Sequence, residues 1–206
     1  MALLTFDSGE TVRKFQEEDR PGLYHVCLAT GDSGASAVDL YNQKEMLGEI
    51  YTGPYLSFQP DLSFTLIHEG VAGYALAALD TRSFENTLSK EWWPLILEKY
   101  SSRSPENFNE REKNLFSYIQ NPPLRPEEVV QQYPSHLHID LLEKSQGRGI
   151  GKAMMLLVLD TLREQGSKGV HLGMGAKNTR AFTFYTKLGF TLLDQNDDEW
   201  TMGLKL

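Results

Sequence analysis

A single α/β domain is the fold class that this 206-residue sequence predicts, and three observations predict it. Residues His136 to Leu142 alternate apolar and polar side chains, as a strand does when one face meets a core. A glycine-rich turn follows directly, and the segment leaving it, from about Gly149 to Gln165, carries Ile150, Met154, Leu157, Val158 and Leu162 as one apolar helical stripe. The tail then repeats the alternation, with a strand over Gly169 to Met174, a helix over Asn178 to Leu188 and closing strands over Phe190 to Leu193 and Trp200 to Leu204.

Upstream, Thr11 to Phe15 reads as a first strand, followed by Glu17-Glu18-Asp19 beside Pro21 as an acidic helix start. Leu23, Val26, Cys27 and Thr30 then recur at helical spacing, and residues 31–34 form a turn. Leu40 to Ile50 is compatible with a second short helix. Tyr51 to Pro60, broken by Gly53-Pro54, reads as an aromatic loop. Ser63 to Glu69 and Val71 to Leu79 form two strands joined at Glu69-Gly70. The polar stretch from about Thr81 to Pro134 reads as a helical insertion. It holds one helix around Trp92 to Tyr100, a second over Asn109 to Gln120 capped by Asn109, and a third opening at Pro126-Glu127-Glu128. In the strand from His136, the side chains of Leu137, Ile139 and Leu141 share one face and those of His136, His138 and Asp140 the other. Gly166 and Gly189 stop the two late helices.

Composition bounds the function classes. Forty per cent apolar and 23% charged residues are ordinary for a globular chain. A net charge of −8 argues against nucleic-acid and anionic-membrane partners and suits cationic or neutral ones. The one cysteine, Cys27, cannot build an internal disulfide and reads as a buried small hydrophobe. Met1 to Lys14 lacks the pattern of a signal peptide, and the longest apolar run, Ala153 to Leu159, is too short to span a bilayer. The expected setting is cytoplasmic, with a nuclear location compatible. No metal-ligand cluster stands out.

The glycine turn carries the chemistry. In Gln146-Gly147-Arg148-Gly149-Ile150-Gly151-Lys152 three alternate glycines bare the backbone at a helix start, where amide N–H groups and the helix dipole favour an anion, most often phosphate. The dinucleotide fingerprint fails because Lys152 stands where its last glycine belongs. The P-loop fails because Gln146 and Ala153 replace its first glycine and its hydroxyl residue. The pattern that remains is Q-x-x-G-x-G.

With Asn178-x-x-Ala181-x-x-Phe184-Tyr185-x-Lys187-Leu188-Gly189-Phe190 at the expected distance downstream, this loop resembles that of the GNAT superfamily of N-acetyltransferases. More narrowly, Tyr51 to Leu56, Gly73 to Leu76 and Trp92-Trp93-Pro94 resemble the acetyltransferase-like C-terminal domain of O-GlcNAcases and its stand-alone relatives. The resemblance implies a mixed, mostly antiparallel central sheet flanked by helices, with the helical insertion preceding the coenzyme-binding strand. It implies acetyl-CoA as cosubstrate, with transfer to an amine on a small molecule or a protein. A catalytically weak acyl-CoA-binding relative acting as a protein-interaction module is the alternative, and a homodimer is compatible with the family.

The resemblance also assigns roles. Gln146, Gly147, Arg148, Gly149, Ile150, Gly151 and Lys152 would hold the pyrophosphate, Arg148 and Lys152 adding positive charge. Backbone groups of Leu141 and Leu142 would pair with the pantetheine arm. Asn178 matches a pantetheine contact and equally suits a helix N-cap. Tyr185 matches the acid that protonates the departing thiolate, and equally suits a half-buried aromatic. Asp140 and His138 share the strand face from which a base would act, and a structural hydrogen bond is the other reading of each. Glu69 and Glu143 are lesser candidates, and His171 reads as structural. Tyr51, Tyr55, Phe58, Trp92 and Trp93 would wall an acceptor cleft or pack the insertion onto the core. Cys27 lies far from these motifs, which argues for direct transfer without a cysteine-borne acetyl group.

Overall fold

The computed structural model describes residues 1–206. Eight strands form one sheet: β1 (Leu4–Thr5), β2 (Thr11–Lys14), β3 (Ser63–Ile67), β4 (Val71–Ala78), β5 (Ser135–Leu141), β6 (Gly169–Gly175), β7 (Thr191–Gln195) and β8 (Glu199–Lys205). Their spatial order is β1-β2-β3-β4-β5-β6-β8-β7, and every neighbouring pair is antiparallel except β5 with β6. The sheet is thus mixed and mostly antiparallel, as the family resemblance implied. The helices are α1 (Arg20–Thr30), α2 (Met46–Tyr51), α3 (Gly53–Phe58), α4 (Thr81–Glu91), α5 (Trp93–Ser101), α6 (Glu110–Gln120), α7 (Glu127–Gln132), α8 (Ile150–Glu164) and α9 (Thr179–Lys187).

Strand alternation sends side chains into two separate cores. On one face, Tyr74, Leu76 and Ala78 of β4 pack with α1, α2 and α3 and with Phe84, Leu88, Trp93, Ile96, Leu115 and Ile119 of α4, α5 and α6. On the other, Ala75, Ala77, Leu137, Val170, Leu172 and Met174 pack beneath Ile150, Met154, Met155, Val158, Leu159 and Leu162 of α8. Of the apolar stripe predicted for this helix, Ile150, Met154, Val158 and Leu162 are buried and Leu157 is half-buried, while Met155 and Leu159 widen the buried face.

Three expectations need correction. Tyr51 to Pro60 is not a loop. Pro54 sits in the first turn of α3, where a missing N–H costs nothing, and Thr52 marks a break between α2 and α3. Helix α4 was not expected. Its signal is the Asp80 side chain, which accepts from the Ser83 N–H, followed by buried Thr81, Phe84 and Leu88 on one side. The two-residue β1 was also not expected. Helix α6 has the predicted Asn109 cap, reinforced by Glu112, whose carboxylate accepts from the backbone N–H of Asn109 and of the distant Asn42 and Gln43.

Candidate active site

The site begins where the sheet opens. Strands β5 and β6 pair only at Ser135↔Val170 and His136↔His171 and then diverge. On its other edge β5 stays paired with β4 from His136↔Ala78 to Leu141↔Gly73. The Leu142 N–H donates to the Ala72 carbonyl at 2.9 Å, which fixes the alternation of the antiparallel ladder. By that alternation His136, His138 and Asp140 direct their backbone groups at β4, whereas those of Ile139 and Leu141 point toward β6, which has already left. Ile139 and Leu141 therefore present strand edges with no strand to pair them, save that the Leu141 carbonyl accepts from Gln146 Nε2 at 2.6 Å. The expectation for Leu142 is corrected here, since its N–H belongs to the sheet. Ile139, not Leu142, offers a free strand edge, and it was missed because ladder parity cannot be read from side-chain type.

The glycine loop lies at the end of this open edge. Gly147 and Gly149 both have φ +80°, a left-handed backbone that other residues adopt only with strain, and nothing lies within 4 Å of where their Cβ atoms would stand. No backbone N–H from Gly147 to Lys152 has a hydrogen-bond acceptor within the protein. These donors converge on the positive end of the 15-residue α8. Gln146 spans the junction between strand and loop, and its Oε1 is buried without a partner. Lys152 is exposed at the loop and makes no ion pair. Arg148 is directed elsewhere. Its guanidinium donates to the buried carboxylate of Glu10 and to the Lys144 carbonyl at 2.6 Å, tying the loop to the β1–β2 turn. The Ser8 hydroxyl, ahead of Arg148, keeps the Glu10 carboxyl below its usual range.

A cleft of about 690 Å³ runs from the β5–β6 opening into the space under the insertion. His138 and Asp140 of β5 line it together with Asn178 and Tyr185 of α9. Asp140 accepts from the Tyr74 hydroxyl at 2.5 Å, and burial pushes its carboxyl up to about 6. At neutral pH it is a carboxylate that holds a proton more firmly than an exposed one. Tyr74 was quoted from the sequence only as part of a resemblance; the cross-strand register Tyr74↔Asp140 gives it this role. Burial, then the Asp140 charge, raises the Tyr185 hydroxyl well above its ordinary value, so it keeps its proton. That hydroxyl makes no hydrogen bond within the protein. Asn178 caps α9 by accepting from the Ala181 N–H at 3.0 Å through Oδ1, which leaves its amide Nδ2 beside Gly34 at the cleft.

Cys27 also lines this cleft, so its expected distance from the motifs is corrected: α1 crosses β4 and β5 and carries it to Asp140. Burial pushes the thiol up to about 12, far from a thiolate at neutral pH. Glu69, at φ +52° in the β3–β4 turn, and Glu143 are exposed and stand outside the cleft. Of the expected aromatic wall, Tyr51, Tyr55 and Trp93 line the cleft. Phe58 and Trp92 instead pack edge to face at 6.1 Å, and Trp92 Nε1 donates to the Glu49 carbonyl. Phe84 and Tyr118, unremarked in the sequence, complete the wall. No group of three or more His, Cys, Asp or Glu is placed to hold a metal ion.

Comparison with known proteins bears on this geometry. Residues 45–190 match the Acetyltransferase (GNAT) family. Over 181 residues the chain is 29% identical to Protein O-GlcNAcase of Rattus norvegicus and of Mus musculus, covering 87% of this chain but only 20% of each relative. The crystal structure of SsHAT superposes with a TM-score of 0.81 at 31% identity, over 95% of this chain and 98% of that one. A PaiA N-acetyltransferase from Thermoplasma acidophilum, solved in complex with coenzyme A, shares the fold at a TM-score of 0.54 and 15% identity, over 96% of this chain and 99% of that one. A glycine loop with free amides at a helix start, a split strand pair and a matching family pattern across most of the chain agree: this protein belongs to the GNAT acetyltransferase family.

Proposed function

We propose that this protein transfers the acetyl group of acetyl-CoA directly to an amine acceptor. The observation that carries this reading is the unpaired backbone edge at Ile139 and Leu141, flanking Asp140 and ending in the free amides of Gly147 to Lys152. The loop amides and Lys152 suit a pyrophosphate, and the Ile139 and Leu141 edge suits an amide-bearing pantetheine arm laid down like an added strand. Bound there, acetyl-CoA supplies an activated thioester.

The chain's own groups divide the remaining work. A backbone N–H on the open edge of β5 donates to the thioester oxygen and stabilises the negative charge that develops on it. Asp140 attracts the cationic acceptor, which sheds one proton to solvent and so frees its lone pair; as the nitrogen–carbon bond forms and the nitrogen becomes acidic, Asp140 takes the second proton. Tyr74 fixes that carboxylate by hydrogen bond. Tyr185, still protonated, gives its proton to the sulfur as the carbon–sulfur bond breaks. His138, pulled down to about 4 chiefly by burial, is neutral and is the weaker base. The high, buried Cys27 thiol favours a ternary complex over acetyl-cysteine.

The test is continuous detection of free thiol from acetyl-CoA across a panel of amines, varying both substrates. Amine-dependent release with intersecting double-reciprocal lines supports direct transfer, and parallel lines oppose it. Absence of amine-dependent release, with acetyl-CoA still bound, would sink the enzymatic reading.

A further inference from the structure

Beyond Asp140 the cleft continues past three imidazoles, each with at least one ring nitrogen that makes no hydrogen bond within the protein. His171 is fully buried; its Nδ1–H donates to the Tyr133 carbonyl at 2.8 Å, so Nε2 carries the lone pair, and this buried Nε2 has no partner. At His136 the same tautomer follows by elimination. The Thr81 hydroxyl donates its one proton to the Pro134 carbonyl at 2.7 Å, so Thr81 Oγ1 accepts from His136 Nδ1–H at 2.8 Å. His136 Nε2 is left as an acceptor without a protein partner. His138 makes no hydrogen bond within the protein, and its ring is held 5.5 Å from that of Tyr55 and 6.2 Å from that of Tyr51. The His136 and His171 rings lie 5.7 Å apart across the last paired rung of β5 and β6. A buried acceptor in a folded protein is normally satisfied, so the unpartnered His171 Nε2, with the half-buried His136 and His138 rings beside it along the cleft, points to a donor that arrives with a ligand.

The surroundings restrict that ligand further. Arg125 and Glu199 form a two-point ion pair over Gly173, where a Cβ would lie 2.6 Å from Glu199 Oε2 and 2.7 Å from Arg125 Nη2. Those charges satisfy each other. Tyr51, Tyr55, Phe84 and Trp93 supply apolar wall. From Asp140, His138 and His136 follow on the same strand face at about 7 Å and about 13 Å.

We propose that His136, His138 and His171 form an acceptor subsite, so that the acceptor is a small bifunctional amine: one amine at Asp140 and, about 7–13 Å away, a second hydrogen-bond donor, hydroxyl or amine. This rests on the direct-transfer reading for the identity of the first amine. A plain alkylamine has no second donor beyond its reacting nitrogen and leaves the His171 acceptor unpaired.

The experiment is calorimetric titration of the coenzyme A-loaded protein with hexylamine, 6-aminohexan-1-ol and 1,6-diaminohexane. At least one bifunctional ligand is expected to bind about tenfold or more tightly than hexylamine, the advantage typical of one satisfied buried acceptor. The hydroxyl and amine arms show which donor is preferred. His171→Asn retains an amide donor near the Nδ1 position and lacks Nε2; it should reduce the bifunctional ligand to the hexylamine level and leave hexylamine unchanged. If that variant fails to fold, His136→Asn, which keeps an amide donor for Thr81 Oγ1 and lacks Nε2, answers the same comparison. Equal affinity for all three amines, no binding of any, or a preference that survives the substitution overturns the subsite. Binding of the predicted selectivity without acetylation would strike the transfer reading alone.

Discussion

Asp140→Asn should make this protein more stable and less active, and the two effects have one cause. The substitution keeps the shape of the side chain and a partner for the Tyr74 hydroxyl, and removes a charge from the cleft. The carboxyl sits at about 6 in the fold against 3.8 when unperturbed, an interval worth about 3 kcal/mol as an upper figure, since the cleft admits water. The folded state therefore holds this proton more tightly than the unfolded chain. The side chain stabilises the fold while protonated, and that contribution is lost as pH rises from about 4 through about 6. At pH 7.5 the Asn variant should gain about 1–3 kcal/mol, raising Tm by about 2–4 °C per kcal/mol for a chain of this size. At about pH 4 the two proteins should unfold together. Thermal melts across that pH range, paired with thiol-release rates, read both effects. Turnover of the variant should fall by about 10²–10⁴-fold, and wild-type kcat/KM should climb with pH through about 6. A variant destabilised equally at every pH, or one that keeps its turnover, would refute the reasoning.

Other outcomes follow from the same geometry. Tyr185→Phe should lower kcat by about 10–10³-fold while leaving the Kd for acetyl-CoA within about threefold, read by single-turnover kinetics and calorimetry; an equal loss in both would make the residue a packing aromatic. Cys27→Ala should retain turnover, and native wild-type Cys27 should resist iodoacetamide at pH 7.5 until the protein unfolds, because its thiol is buried and at about 12; rapid native alkylation with loss of activity would reopen a cysteine intermediate. Gly147→Ala should cost about 1–2 kcal/mol of stability in denaturant melts, through the left-handed backbone and not through crowding; an unchanged midpoint would mean that the loop is free to relax.

How much of this was legible in the sequence depended on the range of the interaction. Local patterns read well. The alternation from His136 to Leu141 divided the strand into its two faces, the glycines at 147 and 149 marked the positive-φ loop, and Asn178 and Asn109 stood at the helix starts they cap. Long-range register did not read. Whether Ile139 or Leu142 offers free backbone depends on ladder parity with β4, fixed by the Leu142–Ala72 hydrogen bond. Tyr74 reaches Asp140 across that same ladder, 66 positions away in sequence. Glu10 captures Arg148 from 138 positions away, so a cation that looked free for phosphate is engaged. Cys27 looked remote because α1 folds back over the strands that carry the motifs. At α3, Gly53-Pro54 signalled a break and was in fact a start, since proline suits the first turn of a helix as well as a loop.

The central claim is that the free amides of Gly147 to Lys152 and the open edge of β5 hold acetyl-CoA, and calorimetric titration of the full chain with acetyl-CoA tests it most directly, with Gly149→Glu as the comparison. The account predicts saturable one-to-one binding to wild type, weakened tenfold or more by a carboxylate placed among the anion-binding amides at a position of φ +80°. Wild type that does not bind acetyl-CoA, or a Gly149→Glu variant that folds and binds it equally well, would contradict the account.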